Sequence, residues 1–233
     1  MICLGIDTSG PIARAAVMSD GQIPTALSAD GTKTHSETLL AALQEALERA
    51  GESLASVGLV AVGLGPGTWT GLRVGITTAK ALAYALAVPV VGISTLDAIA
   101  AGVTDYTGEL AVIVDARRHE VYGRSYHVDG KGGITARGEI FVAPPASLGR
   151  FVGADCALVG NGIDLLVEQE RQKRHILSRR FGEVDAGVIC RLAVGRYRHG
   201  GADSPCDVMP IYVRKSDAEV AREKKEGSGK ITC

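Results

Sequence analysis

Residues 2–21, ICLGIDTSGPIARAAVMSDG, and residues 109–130, ELAVIVDARRHEVYGRSYHVDG, follow one pattern. Each opens on an apolar run that ends in an aspartate, Asp7 or Asp115, passes a polar turn, alternates, and closes on Asp-Gly. The apolar run reads as a strand buried on both faces and the alternating run as its hairpin partner. Such self-similarity within one chain signals a duplicated lobe.

Between the two copies, Thr34 with Glu37 three residues on forms a capping box. It opens a helix to Ala50 with Leu39, Leu40, Leu43 and Leu47 at helical spacing, stopped by Gly51. Val57–Leu64 is a second buried strand, followed by the loop Gly65-Pro66-Gly67-Thr68-Trp69-Thr70-Gly71 and a helix to about Ala87. Strand Val88–Ile93 and a short helix after Ser94 complete the set, an α/β sheet with an antiparallel hairpin at its start. The second copy is less regular: a strand at Cys156–Gly160 and helices near Ile163–Lys173 and Ala186–His199, with no glycine-rich loop. The expected division is a first lobe over 1–103, a reduced second lobe over 104–214 and a solvated tail over 215–233, rich in Lys, Glu, Gly and Ser.

A net charge of −1 excludes a generally basic nucleic-acid binder. Positive charge gathers between Arg171 and Arg198, where a solvated helix face and a local patch are both open readings; Arg171–Arg180 matches no motif. Aromatic residues at 4% are too few for a broad base-stacking platform. Five scattered cysteines, with no C-x-x-C pair and no leader before them, lead us to expect a reducing cytoplasm. The longest apolar stretch, Ala81–Ile93, contains Pro89 and is shorter than the roughly 20 residues a membrane span needs.

Asp7 and Asp115 are the first candidates for chemistry, because carboxylates at two duplicated strand tips could face each other and hold Mg²⁺ and phosphates. Each could equally accept hydrogen bonds from its own turn. The loop 65–71 stands where a helix N-terminus binds anions, yet it matches neither the P-loop nor G-x-G-x-x-G, so a structural turn competes with a phosphate or partner contact. In the helix that follows, Gly71, Gly75, Ala79, Ala83 and Ala87 form a nearly bare ridge. That ridge suits close approach by the chain's own sheet or by an external helix. His35 lacks a second histidine one turn on, where Leu39 stands, and Gly92-Ile93-Ser94-Thr95-Leu96 breaks the G-x-S-x-G elbow at its last position. No self-sufficient catalytic set is visible, and neither a metal enzyme nor a peptidase is expected.

These stretches, together with Leu4–Ser9, His35–Leu40, Gly65–Gly75, Asp115–Arg117 with Glu120–Tyr122, and Pro210–Arg214, resemble the successive motifs of the bacterial TsaB family, also called YeaZ. The resemblance covers nearly the whole chain except the tail. It implies an actin-like, sugar-kinase-like (ASKHA) α/β fold of two duplicated βββαβαβα-type lobes, the second reduced. It also implies a non-catalytic role in making threonylcarbamoyladenosine, the base beside the anticodon of tRNAs that read codons beginning with A. The catalytic paralogue, TsaD, carries a metal-binding H-x-x-x-H on the helix matching residues 34–50; here Leu39 replaces its second histidine. Family members dock on that paralogue, are joined by the small ATPase TsaE, homodimerise when alone, and meet tRNA through the complex. No cofactor of the chain's own is implied, although a nucleotide could sit at the shared interface. The expected interface comprises His35, Leu39, Leu43, Trp69, Gly71, Leu72, Gly75, Ala79, Leu82 and Ala83, with Asp7 and Asp115 a vestigial phosphate or Mg²⁺ site. Trp69 stands where the family more often has Phe. The alternative is a small Mg²⁺-nucleotide-dependent phosphotransferase or hydrolase using Asp7 and Asp115.

Overall fold

A computed structural model describes residues 1–29, 31–178 and 181–214; the expected tail and Arg179–Arg180 of the basic segment lie outside these residues. The first apolar run forms β1 (Ile2–Asp7), its hairpin partner β2 (Arg14–Ser19), and a third strand β3 (Gln22–Ser28) follows. After α1 (His35–Arg49) come β4 (Val57–Gly63), α2 (Trp69–Leu86), β5 (Val90–Ile93) and α3 (Thr95–Gly102). The strands order as β3-β2-β1-β4-β5, with β1 antiparallel to β2 and parallel to β4.

The second copy repeats this as β6 (Thr107–Asp115), β7 (Val121–Asp129), β8 (Ile134–Ala143) and β9 (Ala157–Val159), ordered β8-β7-β6-β9. A fifth position survives as a remnant: Leu158 N–H donates to His175 O at 2.8 Å and Leu177 N–H to Leu158 O at 2.9 Å. Short helical turns over 161–165, then α4 (Glu168–Gln172), fill the place of α2, and α5 (Ala186–Gly200) that of α3. The helix expected over Ile163–Lys173 is thus broken into two pieces. The duplicated actin-like architecture is what the resemblance implies.

The last helix of each half crosses to the other: α3 packs on β6, β7 and β8, and α5 on the first sheet from β1 to β5. One apolar cluster therefore lies between the sheets, joining Cys3, Leu59 and Ala61 to Leu110, Val112 and Tyr126 through Ile99 and Ile189. A stretch read from sequence as part of the second lobe is in space the inner cover of the first. After α5 the chain continues as a strap along the first sheet, with Asp203 N–H donating to Val90 O at 3.0 Å and Ile211 N–H to Leu64 O at 2.8 Å.

On the outer face of the first sheet, α1 and α2 bury Leu39, Leu43, Leu72 and Ile76 against Leu4, Ile6, Val60 and Val62. The capping box holds, with Thr34 N–H donating to Glu37 Oε2 at 2.8 Å. The matching face of the second sheet is covered mainly by short turns carrying Leu148 and Ile163. Neither β3 nor β8 stands out in the sequence. Both are edge strands with weak alternation; one carries Pro24, and the other bends at Gly138, whose φ is +73°.

Candidate functional site

The strand tips of the two halves do meet. Asp7 and Asp115 line one cleft between the sheets, together with Ser9, Arg14, Thr68, Thr95, Arg117, Asn161 and Glu183. Asp7 is 1% exposed. Its Oδ1 accepts from Ser9 N at 3.1 Å and Ser9 Oγ at 2.7 Å, and its Oδ2 from Thr95 Oγ1 at 3.5 Å. Burial pushes its carboxyl above the ordinary value, and the Ser9 hydrogen bonds pull part of the way back. Asp115 accepts from Arg117 N at 2.7 Å, and its carboxylate stands 3.6 Å from the Arg117 guanidinium. Each carboxylate thus accepts from the backbone two residues on, the turn role anticipated beside the chemical one. Arg14 pairs with Glu183 across the same space. The cleft holds about 110 Å³, and the Arg14–Glu183 pair closes part of its mouth.

The glycine loop is fastened to this cleft rather than open. Thr68 N–H donates to Ser9 O at 2.8 Å, Gly65 N–H to Thr95 Oγ1 at 3.1 Å, and Thr95 N–H to Gly65 O at 2.8 Å. A Cβ at Gly67 would overlap the backbone of Ser9. Two of the loop's amides, those of Gly65 and Thr68, are therefore already used within the loop and its neighbours.

The expected docking ridge is an internal one. A Cβ on Gly71 would overlap Thr8 O, and one on Gly75 would overlap Thr8 Oγ1, which donates to Gly71 O at 2.7 Å. Gly71, Leu72, Gly75, Ala79 and Ala83 are all buried on the chain's own sheet, as are Leu39 and Leu43 beneath α1. The glycines strip the helix so that it can lie on the turn after β1; their side of the helix is unavailable to a partner. Of the ten residues expected at an interface, only His35, Trp69 and Leu82 reach the surface. His35 is committed locally: its Nε2 lies 3.0 Å from Gly10 O, an acceptor, so that nitrogen carries the proton.

A different row of α2 faces out: Trp69, Arg73, Thr77, Ala81 and Ala85, four residues apart, with Tyr84 beside it at 90% exposure. Between α1 and α2 runs a groove of about 470 Å³ lined by Leu40, Leu43, Leu47, Leu54 and Leu82, with Gln44, Glu48 and Glu52 at its rim. Leu40 is 62% exposed and stands on its edge. On the other flank of α2, Trp69 stacks on Tyr212 of the strap with ring centroids 4.1 Å apart, and the Arg73 guanidinium lies 4.5 Å from the Trp69 ring.

Sequence reasoning missed Leu40, Tyr84 and Tyr212 as surface groups. The buried face of α1 takes adjacent pairs, Thr38–Leu39, Ala42–Leu43 and Ala46–Leu47, and Leu40 stands at its edge, so spacing alone did not separate it from the core. Tyr212 lay within a recognised motif, but only the folded strap brings it to Trp69, 143 positions earlier. Among the described residues, no group of three or more His, Cys, Asp or Glu side chains is arranged to hold a metal, and no helix is long and apolar enough to cross a membrane.

The chain matches the family model "TsaD: tRNA N6-adenosine threonylcarbamoyltransferase" over residues 20–169. An uncharacterized protein of Mycobacterium bovis is 36% identical over 223 residues, covering 93% of each chain. The Escherichia coli tRNA threonylcarbamoyladenosine biosynthesis protein TsaB is 34% identical over 134 residues, covering 57% of this chain and 58% of that protein, less than two thirds of its length. The structure of YeaZ from Pseudomonas aeruginosa superposes with a TM-score of 0.75 at 27% identity, covering 91% of this chain and 99% of that one. With the fold, the strand order and these matches in agreement, the chain belongs to the TsaB (YeaZ) family.

Proposed function

We propose that this chain acts in the biosynthesis of threonylcarbamoyladenosine in tRNA, as a non-catalytic subunit that docks on a TsaD-type threonylcarbamoyltransferase. The pathway follows the name of its Escherichia coli relative, and the partner follows the family model that its own residues match. The observation that carries the docking role is the groove between α1 and α2, an apolar surface open to solvent on the one sheet face that keeps two full helices. Leu40, Leu54 and Leu82 along it offer anchors for a partner helix, and the small outward row Thr77, Ala81 and Ala85 lets that helix approach closely. In the absence of the partner, the same surface pairs two copies of the chain, with TsaE joining only the heteromeric assembly and tRNA reached through it.

The non-catalytic part of the reading is supported by the state of the candidate groups. Asp7 and Asp115 are spent on their turns, His35 on Gly10, and the position one helical turn beyond His35 is the buried Leu39. The phosphotransferase alternative draws on the meeting of Asp7 and Asp115 in one cleft, but both carboxylates already accept from their own turns and ion pairs line the cleft. The test is a threonylcarbamoylation assay with the TsaD-type enzyme, with and without this chain. Product formation that rises with added chain and survives Asp7→Asn is expected; turnover by the chain alone, abolished by Asp7→Asn, would replace this reading with the enzymatic one.

A further inference from the structure

The strap after α5 brings a partly exposed aromatic pair to the surface beside α2. Trp69, the single tryptophan of the chain, is 37% exposed at the first turn of α2, and Tyr212, stacked on it, is 42% exposed. The strap holds Tyr212 from both sides, through Ile211 N–H to Leu64 O at 2.8 Å and through Arg214 Nη1 to Glu120 Oε2 at 2.7 Å. Arg73 Nε reaches Tyr212 Oη at 3.4 Å, and one further contact ties α2 to the strap, Lys80 Nζ to Met209 Sδ at 3.9 Å. Met209 is itself 55% exposed.

The charge on this seam is one-sided. The eighteen residues of α2 contain no aspartate or glutamate, and neither Arg73 nor Lys80 has a carboxylate partner among the described residues. Arg73 beside the tryptophan–tyrosine stack combines the residue types that dominate binding hot spots, Lys80 adds a second positive charge, and the strap already holds Tyr212 in place. Two cations without a carboxylate partner among the described residues, beside an aromatic pair already stacked on itself, suit a protein better than RNA, whose affinity grows with each phosphate neutralised.

We propose that the seam between α2 and the strap, centred on Trp69 and Tyr212, is a second docking point that receives a carboxylate-bearing segment of the protein partner, opposite Arg73 and Lys80. It deepens the docking reading above and rests on it: the groove takes the partner's apolar helix, and the seam takes an acidic segment on the other flank of α2.

The test measures binding of the purified TsaD-type paralogue to the full chain by calorimetry at low and high salt. Tyr212→Ala is expected to weaken binding about 10-fold or more. Arg73→Glu with Lys80→Glu is expected to weaken it further and to flatten the salt dependence, with the melting temperature measured alongside to separate lost charge from a loosened strap. Arg214→Ala, which frees the strap without touching the stack, is expected to give a smaller loss, and the conservative Tyr212→Phe to retain binding. If the wild type binds and Leu40→Arg abolishes binding while the Tyr212 and double charge variants bind as the wild type does, the seam is overturned and the groove stands. If these variants change only retention of tRNA, or only self-association of the chain, the seam is likewise overturned as a site for the paralogue. No binding by the wild type overturns the docking reading and this inference together.

Discussion

The two halves share strand order and a tip aspartate, but they differ on their outer faces. The first sheet is roofed by helices of 15 and 18 residues, while the second is roofed by turns of five or six residues. Inside, the halves exchange α3 and α5 and build one common core. What the duplication conserves is therefore the interior. The surplus helices on one half, with their open leucine groove and their flanking strap, are where a function particular to this chain can reside.

The largest effect expected is at the ridge Gly71–Ala83, bare of side chains in the sequence and buried in the fold. Gly75→Leu must displace Thr8 from beneath α2, an overpacking cost on the order of 3 kcal/mol, visible as a loss of urea stability. A variant that kept its stability but lost partner binding would restore the ridge to the surface. Leu40→Arg should do the opposite: stability within about 0.5 kcal/mol, because Leu40 is already exposed, and partner affinity lower by about 30-fold.

Two further changes probe the shared interior. Tyr126, fully buried on β7, donates its hydroxyl to Asp97 Oδ1 of α3 at 2.7 Å, joining the halves. Tyr126→Phe should cost about 1–3 kcal/mol in chemical unfolding, since the lost bond goes to a charged group. A null effect would mean that the exchanged helices are held by apolar packing alone.

The smallest effect concerns Asp7 and carries a pH signature. Its folded carboxyl binds its proton more tightly than the unfolded one, because burial outweighs the bonds from Ser9 and Thr95. The stability so gained is complete below the unfolded value of about 3.9 and is lost as pH rises through the raised folded value. Asp7→Asn keeps an acceptor for Ser9 and has no charge to desolvate. Its melting temperature should equal or exceed that of the wild type at neutral pH, and the advantage should vanish in acid. A lower melting temperature at neutral pH would mean that the ionised carboxylate stabilises the fold.

The sequence made the interior legible and the surface much less so. Apolar runs ending in Asp7 and Asp115, the capping box at Thr34 and the punctuation at Gly51 each carry a local signal, and each is found where that signal puts it. The edge strands β3 and β8 are stabilised by pairing with β2 and β7 rather than by their own pattern, so they left little trace. The direction faced by the Gly71–Ala83 ridge was open because a helix with small residues on one side and leucines on another can present either to its sheet. Thr8, filling the space that Gly71 and Gly75 vacate, decides it, and that contact spans more than sixty residues of chain. Trp69 and Tyr212 belong together for a similarly distant reason.

The central claim is that the surplus helices of the first half form a docking face. Sedimentation velocity of the chain mixed with its TsaD-type paralogue, for the wild type and for Leu40→Arg, tests it most directly. The account requires a heteromeric complex with the wild type and separate boundaries with a folded Leu40→Arg variant; equal complex formation by both would contradict it.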